Sequence, residues 1–306
     1  MGKFLCKDWV FLLSRVFFGI IFIVSASLKL ISIDTFELYV FGFEWFDFGL
    51  STYLARLVIL AEYLIGGYYL FTIRNKWIDF FCGFLLGGFT LFLIYLYLSG
   101  EDGNCHCFGD VFDFSPLESL AKNVVLILLF VLLLKSKEVN FPHKKLVYIL
   151  VPIVALILTF ALRLPYPFST YKETPLEQEK FTMFLEQDSL SQGLSEGQDL
   201  VFFLSTKCKY CKLAAKRLDI ILKKYPFPTE NVHLYIWGND EGVAKFFEEN
   251  EIVPRPYKLI NPITLLDISK GKMPLILLLD NGKVVGKMNN TTFNEGVLVN
   301  FLNNKQ

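Results

Sequence analysis

Four cysteines in two close pairs carry the reactive chemistry of this sequence. Cys208 and Cys211 sit in Lys207-Cys-Lys-Tyr-Cys-Lys212, and Cys105 and Cys107 flank His106 in Glu101-Asp-Gly-Asn-Cys-His-Cys-Phe-Gly-Asp110. Paired thiols either exchange disulfides through a thiolate or ligate a soft metal. The CxxC lacks a second pair in its half of the chain, and His233, in a strand-like run, is the only histidine after residue 199, so the four ligands of a zinc site are not in view. The CxC closes a very small ring as a disulfide, and the strain suits it to exchange rather than stapling. His106 between its sulfurs eases proton transfer or adds a third soft ligand, so a metal-handling reading stays open there, although no metal is assigned.

The elements around the CxxC must present one thiol and shelter the other. Asp199–Leu204 reads as a buried strand, and Leu213–Lys224 has apolar residues at helical spacing. Cys208 is then at a helix N-terminus, where free N–H groups, the macrodipole and Lys207, Lys209 and Lys212 favour its thiolate. It is the expected attacking thiol. Cys211, one turn later and inward, resolves the mixed disulfide. Val232–Trp237 reads as a strand, Asp240–Asn250 as a helix, and the stretch through Pro254, Pro256 and Pro262 as a loop leading to Met273. Met273-Pro274 then opens the strand-like Leu275–Leu279, with a turn at Asp280-Asn-Gly282. Strand, CxxC, helix and this later Met-Pro strand resemble thioredoxin-like proteins of the membrane-anchored, TlpA-like kind. The resemblance implies an α/β thioredoxin-like domain over residues 199–306, a cis bond before Pro274, and substrate binding along Met273 and Pro274. The usual Trp before the CxxC is replaced by Thr206-Lys207, and the central dipeptide is Lys-Tyr rather than Gly-Pro.

The rest of the chain is too apolar for water. Of 306 residues 53% are hydrophobic, 32 are phenylalanine, and the mean hydropathy is +0.44. Formal net charge is zero and the lysines are scattered, which excludes a nucleic-acid surface. Val10–Ile31, Tyr53–Ile73, Trp77–Ser99, Leu117–Leu134 and Leu146–Leu162 are long enough, or nearly so, to cross about 30 Å of hydrocarbon. The first contains Arg15 and Lys29 and lacks a small-residue cleavage site, so it reads as a retained helix. Gly66-Gly67 and Gly83 read as points of close helix approach. Lys and Arg collect before the first span and in the second and fourth connections, whereas 32–52 and 100–116 contain neither. The positive-inside rule then places the N-terminus in the cytoplasm and both cysteine pairs outside. Residues 165–198 read as a linker with a short helix at Gln178–Leu190.

The five-span half, residues 1–164, resembles the MauE/DoxX group of bacterial membrane proteins over about residues 10–135, on three stretches. These are Cys105-His-Cys-Phe-Gly109, the ending Ser25-Ala-Ser-Leu-Lys-Leu30 of the first span, and Arg56-Leu-Val-Ile-Leu-Ala-Glu-Tyr-Leu-Ile-Gly66 of the second. The resemblance implies an all-α bundle in a bacterial inner membrane and a part in maturing disulfide-containing proteins or in membrane redox chemistry. Glu62 is near mid-span, and a charge at that depth is paired or functional. It pairs with Arg15 or Lys29, or relays a proton during exchange. Cys82 reads as a buried filler and Cys6 as a cytoplasmic thiol without a role.

The combined expectation is a membrane-bound thiol–disulfide oxidoreductase. Electrons pass between Cys105/Cys107 and Cys208/Cys211, which act on an extracytoplasmic client protein with cysteines. No cofactor is expected to be covalently bound, and a quinone-like carrier is expected at the outer end of the bundle. The competing readings are a non-catalytic membrane-anchored assembly factor and a metal handler at Cys105-His106-Cys107.

Overall fold

The computed structural model describes residues 2–73, 75–100, 105–110, 114–135, 144–162, 176–187, 194, 197–225 and 227–303. It divides into two units, Met1–Val40 with Ser51–Pro165, and Phe41–Leu50 with Tyr166–Gln306.

The first unit is helical. Its elements are α1 (Gly2–Ile31), α2 (Ile33–Phe41), α3 (Phe48–Leu70), α4 (Lys76–Leu98), the short strand β1 (Cys107–Asp110), α5 (Pro116–Leu134) and α6 (Lys144–Leu156). A π-helical turn, Ile157–Ala161, extends α6 beyond Pro152. Five helices are long and apolar enough to cross a membrane, Trp9–Ile31, Phe48–Leu70, Lys76–Leu98, Pro116–Leu134 and Lys144–Ala161, and the chain is a multi-pass membrane protein. Large apolar side chains such as Phe17, Phe84, Leu91, Val125 and Ile149 are exposed on their outer faces, where lipid rather than water is the solvent. Helix α2 departs from the expectation of a plain outer loop. Ile33 and Phe36 join a core with Ala26, Ala55 and Ile59, so the first part of that connection is folded onto the bundle.

Small residues set the helix spacing. A Cβ on Gly19 would come 2.8 Å from the Gly66 carbonyl, and one on Gly66 would come 2.9 Å from that of Gly19. Helices α1 and α3 therefore cross at backbone contact. Helix α5 starts with a capping box in which Ser115 accepts from the Glu118 N–H and the Glu118 carboxylate accepts from the Ser115 N–H. Asn123 ties α5 to α4 by donating to the Leu86 carbonyl at 3.2 Å and the Thr90 hydroxyl at 2.7 Å. A buried amide satisfied this way gives the two apolar faces one register.

The second unit contains α7 (Gln178–Gln187), β2 (Gln198–Ser205), α8 (Lys209–Lys224), β3 (Val232–Trp237), α9 (Asp240–Glu248), β4 (Tyr257–Leu259), α10 (Pro262–Ser269), β5 (Leu275–Asp280), β6 (Lys283–Met288) and α11 (Glu295–Asn303). The sheet order is β4-β3-β2-β5-β6. Strand β2 runs parallel to β3 and antiparallel to β5, with Phe202 opposite both Leu234 and Ile276. This mixed five-stranded sheet with flanking helices is the thioredoxin-like fold expected from the CxxC context. One side of the sheet buries Val201, Phe203, Tyr235, Leu275, Leu277 and Leu279 against Phe181 and Phe184 of α7 and Leu265 of α10. Each such side chain contributes roughly 1.5–3 kcal/mol of transfer free energy. The stretch from Pro254 to Met273, expected as a loop, instead holds β4 and α10. Pro262 occupies the first turn of α10, where its missing N–H costs nothing, and Asn261 caps it.

Candidate functional site

In the second unit the end of β2 delivers the CxxC. Leu200–Leu204 are fully buried, the chain turns at Thr206-Lys207, and Cys208 is the N-cap of α8. Cys208 is half-buried and Cys211 fully buried, both as free thiols. The Met273–Pro274 bond is cis, and the Met273 carbonyl is 4.0 Å from Cys208 Sγ. The expected pairing of CxxC with Met273 and Pro274 is therefore what the fold produces. Tyr210, between the cysteines, is 54% exposed and so available to a partner surface.

The two thiols have unlike affinities for a proton. The hydrogen bond from Cys211, followed by the Cys211 and Tyr210 backbone N–H groups, holds Cys208 down at about 6 against the opposing effect of burial. The same hydrogen bond and burial push Cys211 far up. Electrostatic help from the flanking lysines is not part of the account. Lys207 and Lys209 extend into solvent and Lys212 lies 3.6 Å from Glu249, so the neighbouring thiol and the helix N-terminus do the work. The alkylation rate of Cys208 is expected to inflect near pH 6. A Cys211→Ala variant moves that inflection towards the free-thiol value of about 8.5. A parent inflection already at the free-thiol value would contradict this geometry.

His233, on β3, hydrogen-bonds Asp199 at 2.9 Å, and Asp199 is nearly fully buried. It is a structural partner at the start of β2, nine positions before Cys208.

In the first unit, β1 lies on α1. Gly109 has φ +63, and a Cβ there would overlap the Ser32 hydroxyl and come 2.7 Å from the Leu28 carbonyl. The CxCFG segment thus needs glycine both for its backbone turn and for contact with α1. His106 also has a positive φ, +51, and its ring packs 4.6 Å from that of Tyr39 on α2. The Cys105 and Cys107 sulfurs are 2.6 Å apart and each residue is 2% exposed. Cys105 Sγ is also 2.8 Å from the Ser119 hydroxyl of α5. Hydrogen bonding from Cys107 and Ser119 and the charge of Lys122 hold Cys105 below the ordinary thiol range, the Cys107 bond being the largest cause. Cys107 is pushed up by that same bond and by burial.

Beneath β1 is a polar network in an apolar surrounding. Lys29 Nζ donates to both Glu62 carboxylate oxygens at 2.7 and 2.9 Å and to Ser25 Oγ at 2.7 Å. Ser25 Oγ is in turn 3.0 Å from the Cys107 carbonyl and 3.2 Å from each Glu62 oxygen, so its single hydrogen has three acceptors within reach. Lys29 and Glu62 are 1% and 6% exposed, so the ammonium is held inside the bundle rather than reaching water. Arg15 does not join them. It is 3% exposed elsewhere in the unit, with a guanidinium nitrogen 3.5 Å from the Thr72 carbonyl. Arg56 makes a second buried pair with Glu37 at 2.9 Å and donates to the Thr159 carbonyl at 3.0 Å. Cys82 is fully buried among Phe18, Leu86 and Phe130, a packing residue as expected. The side chain of Cys6 lies outside the described residues.

A cavity of about 40 Å³ adjoins this network, with Ile21, Phe22, Leu85, Leu86, Phe89 and Leu126 on its apolar walls and Cys107, Glu62, Lys29 and Lys122 on its polar side. Sequence reasoning missed Ser119 and Lys122. Their only signal was spacing: both are on the α5 face that carries Asn123, three and four residues apart on the helix from Ser119. Among the described residues no group of three or more His, Cys, Asp or Glu side chains is placed to hold a metal.

Comparison with known proteins agrees with both halves. Residues 7–136 match the family described as Methylamine utilisation protein MauE, so the N-terminal region carries a MauE domain. The whole chain is similar to Protein TlpB of Flavobacterium psychrophilum, 23% identical over 342 residues, an alignment that covers 92% of this chain and 91% of that protein.

Proposed function

Starting from a MauE domain joined to a thioredoxin-like unit, we propose that this chain is a membrane-bound thiol–disulfide oxidoreductase that passes electrons between Cys105/Cys107 and Cys208/Cys211. The observation that carries this reading is the same division of labour in both pairs. Each sets two free sulfurs side by side with polar hydrogen-bonding groups at one of them: Cys105 lies 2.6 Å from the Cys107 sulfur and 2.8 Å from the Ser119 hydroxyl, and half-buried Cys208 is the N-cap of α8 with Cys211 fully buried one turn later. A thiolate attacks a disulfide sulfur, the displaced sulfur leaves as a thiolate, and the proton-retaining neighbour later resolves the mixed disulfide. Cys208, half-exposed beside the Met273 carbonyl and Tyr210, is the sulfur that meets client proteins.

The charge alternation along the sequence puts the N-terminus inside and both pairs on the outer face of a bacterial cytoplasmic membrane. Beyond the CxC the electron carrier is a quinone-like molecule. The walls beside Cys107 are apolar, but the cavity of about 40 Å³ is smaller than a quinone ring and would have to open to admit one. An inert anchor for a client-binding domain would need neither Cys105 nor Cys107, which favours exchange over the assembly-factor reading. The test is the redox state of Cys208/Cys211 in cells whose protein carries Cys105→Ser and Cys107→Ser. A changed ratio of thiol to disulfide is expected.

A further inference from the structure

Lys122 has no task in the relay as described so far. It is on α5, one turn after Ser119, with Nζ 4.2 Å from the centre of the Phe108 ring and its side chain on the wall of the cavity beside Cys107. Among the described residues it makes no ion pair with a carboxylate. The charged groups facing the CxC can be taken helix by helix. Helix α1 supplies Lys29 and α3 supplies Glu62, which neutralise each other at 2.7 Å. Helix α4 supplies only Leu85, Leu86 and Phe89. On α5, Glu118 is engaged with Ser115 in the capping box, and His106 of the CxC itself packs on Tyr39. On α2, Glu37 is paired with Arg56, so among the described residues the positive charge left over is that of Lys122, in surroundings of low polarisability where charge imbalance is costly.

We propose that Lys122 is a positioning residue that supplies the counter-charge for the thiolate formed at Cys105/Cys107. The proposal rests on the reading of this pair as an exchange site. One thiolate makes the basin neutral. Oxidation of this singly ionised pair to the disulfide removes two electrons and one proton, the electrons passing to the partner disulfide or the quinone-like carrier, and leaves Lys122 unbalanced again. The lysine therefore favours the reduced, singly ionised pair over the disulfide, which makes the disulfide more oxidising. Cys105 is the sulfur that holds the charge, since Cys107 and Ser119 both lie within hydrogen-bonding distance of it. A lysine this close to a helix end commonly extends to water. This one lies over an aromatic ring of the CxCFG segment, a cation–π contact that holds it at the site.

The test uses the full chain in a Cys208→Ser, Cys211→Ser background, reduced and held in lipid nanodiscs. Ultraviolet thiolate absorbance is titrated against pH for the parent, Lys122→Met, Lys122→Gln and Lys122→Arg. The two neutral variants should raise the CxC inflection by about one unit, a tenfold weaker acid. They should also shift the glutathione equilibrium about tenfold towards the disulfide, while Lys122→Arg stays near the parent. An unmoved inflection in both neutral variants overturns the proposal. So does an equal shift in all three, or failure of both neutral variants to fold, because either result assigns Lys122 to packing. Since this background has no CxxC, failure of the relay itself would appear elsewhere, as an unchanged Cys208/Cys211 redox state in cells.

Discussion

A Cys107→Ser chain is expected to accumulate a disulfide between Cys105 and Cys208, and to lose it when Cys208 is also replaced. In the proposed relay Cys105, the more easily ionised of its pair, attacks the Cys208 sulfur of an oxidised CxxC and releases Cys211 as the leaving thiolate. In the parent, Cys107 then attacks Cys105, frees Cys208 and completes the transfer of two electrons. Serine cannot make that second attack, and the remaining exit, return attack of Cys211 on Cys208, is slowed because Cys211 holds its proton tightly, so the mixed species rises to a major fraction of the chain. Its attachment to Cys208 rather than Cys211 follows from exposure, because Cys211 is fully buried. The burial of Cys105 governs how fast the species forms and not which bond is made. Non-reducing electrophoresis with peptide mapping reads the linkage directly, and a bond that survives Cys208→Ser would refute the assignment.

The second large effect concerns the buried pair under β1. Glu62→Ala leaves the Lys29 ammonium, 1% exposed, without its carboxylate. Breaking such a pair costs about 3–5 kcal/mol, whereas replacing both members by apolar residues is often neutral. The single variant should therefore unfold at markedly lower denaturant or temperature in detergent, and Lys29→Met with Glu62→Leu should recover most of the loss. Equal losses in the single and double variants would show that the charges are needed for something other than each other, with the Ser25 link to the Cys107 carbonyl the first place to look.

Much of this architecture is visible in the residues themselves, and the reason differs from part to part. Membrane spans follow from hydropathy and length, so the five helices lie within a few residues of expectation. The CxxC and Met273-Pro274 are local signals of a fold whose strands and helices have ordinary periodicity, which is why β2, α8 and β5 were readable. Glu62 and Lys29 stand out because a charge in hydrocarbon needs a reason; the partner choice between Lys29 and Arg15 depends on helix rotation, which no one-dimensional pattern contains. Helix α2 was hidden because nine residues between two spans carry too short a period to separate from an irregular loop. Strand β4 and α10 were masked by three prolines, though Pro262 with Asn261 before it is also a helix-start signal. Ser119 and Lys122 were missed for a different reason. Each is an ordinary residue near the start of a span, and only the packing of β1 against α1 and α5 makes them neighbours of sulfur.

The central claim is that the two cysteine pairs form one electron path. It is tested most directly by rapid acid quenching of cells, followed by mass-tag alkylation, to measure the fraction of Cys208/Cys211 held as disulfide with and without Cys105 and Cys107. The account predicts that removing the CxC pair shifts that fraction strongly to one side while the amount of protein is unchanged. An identical fraction in the two strains would contradict it.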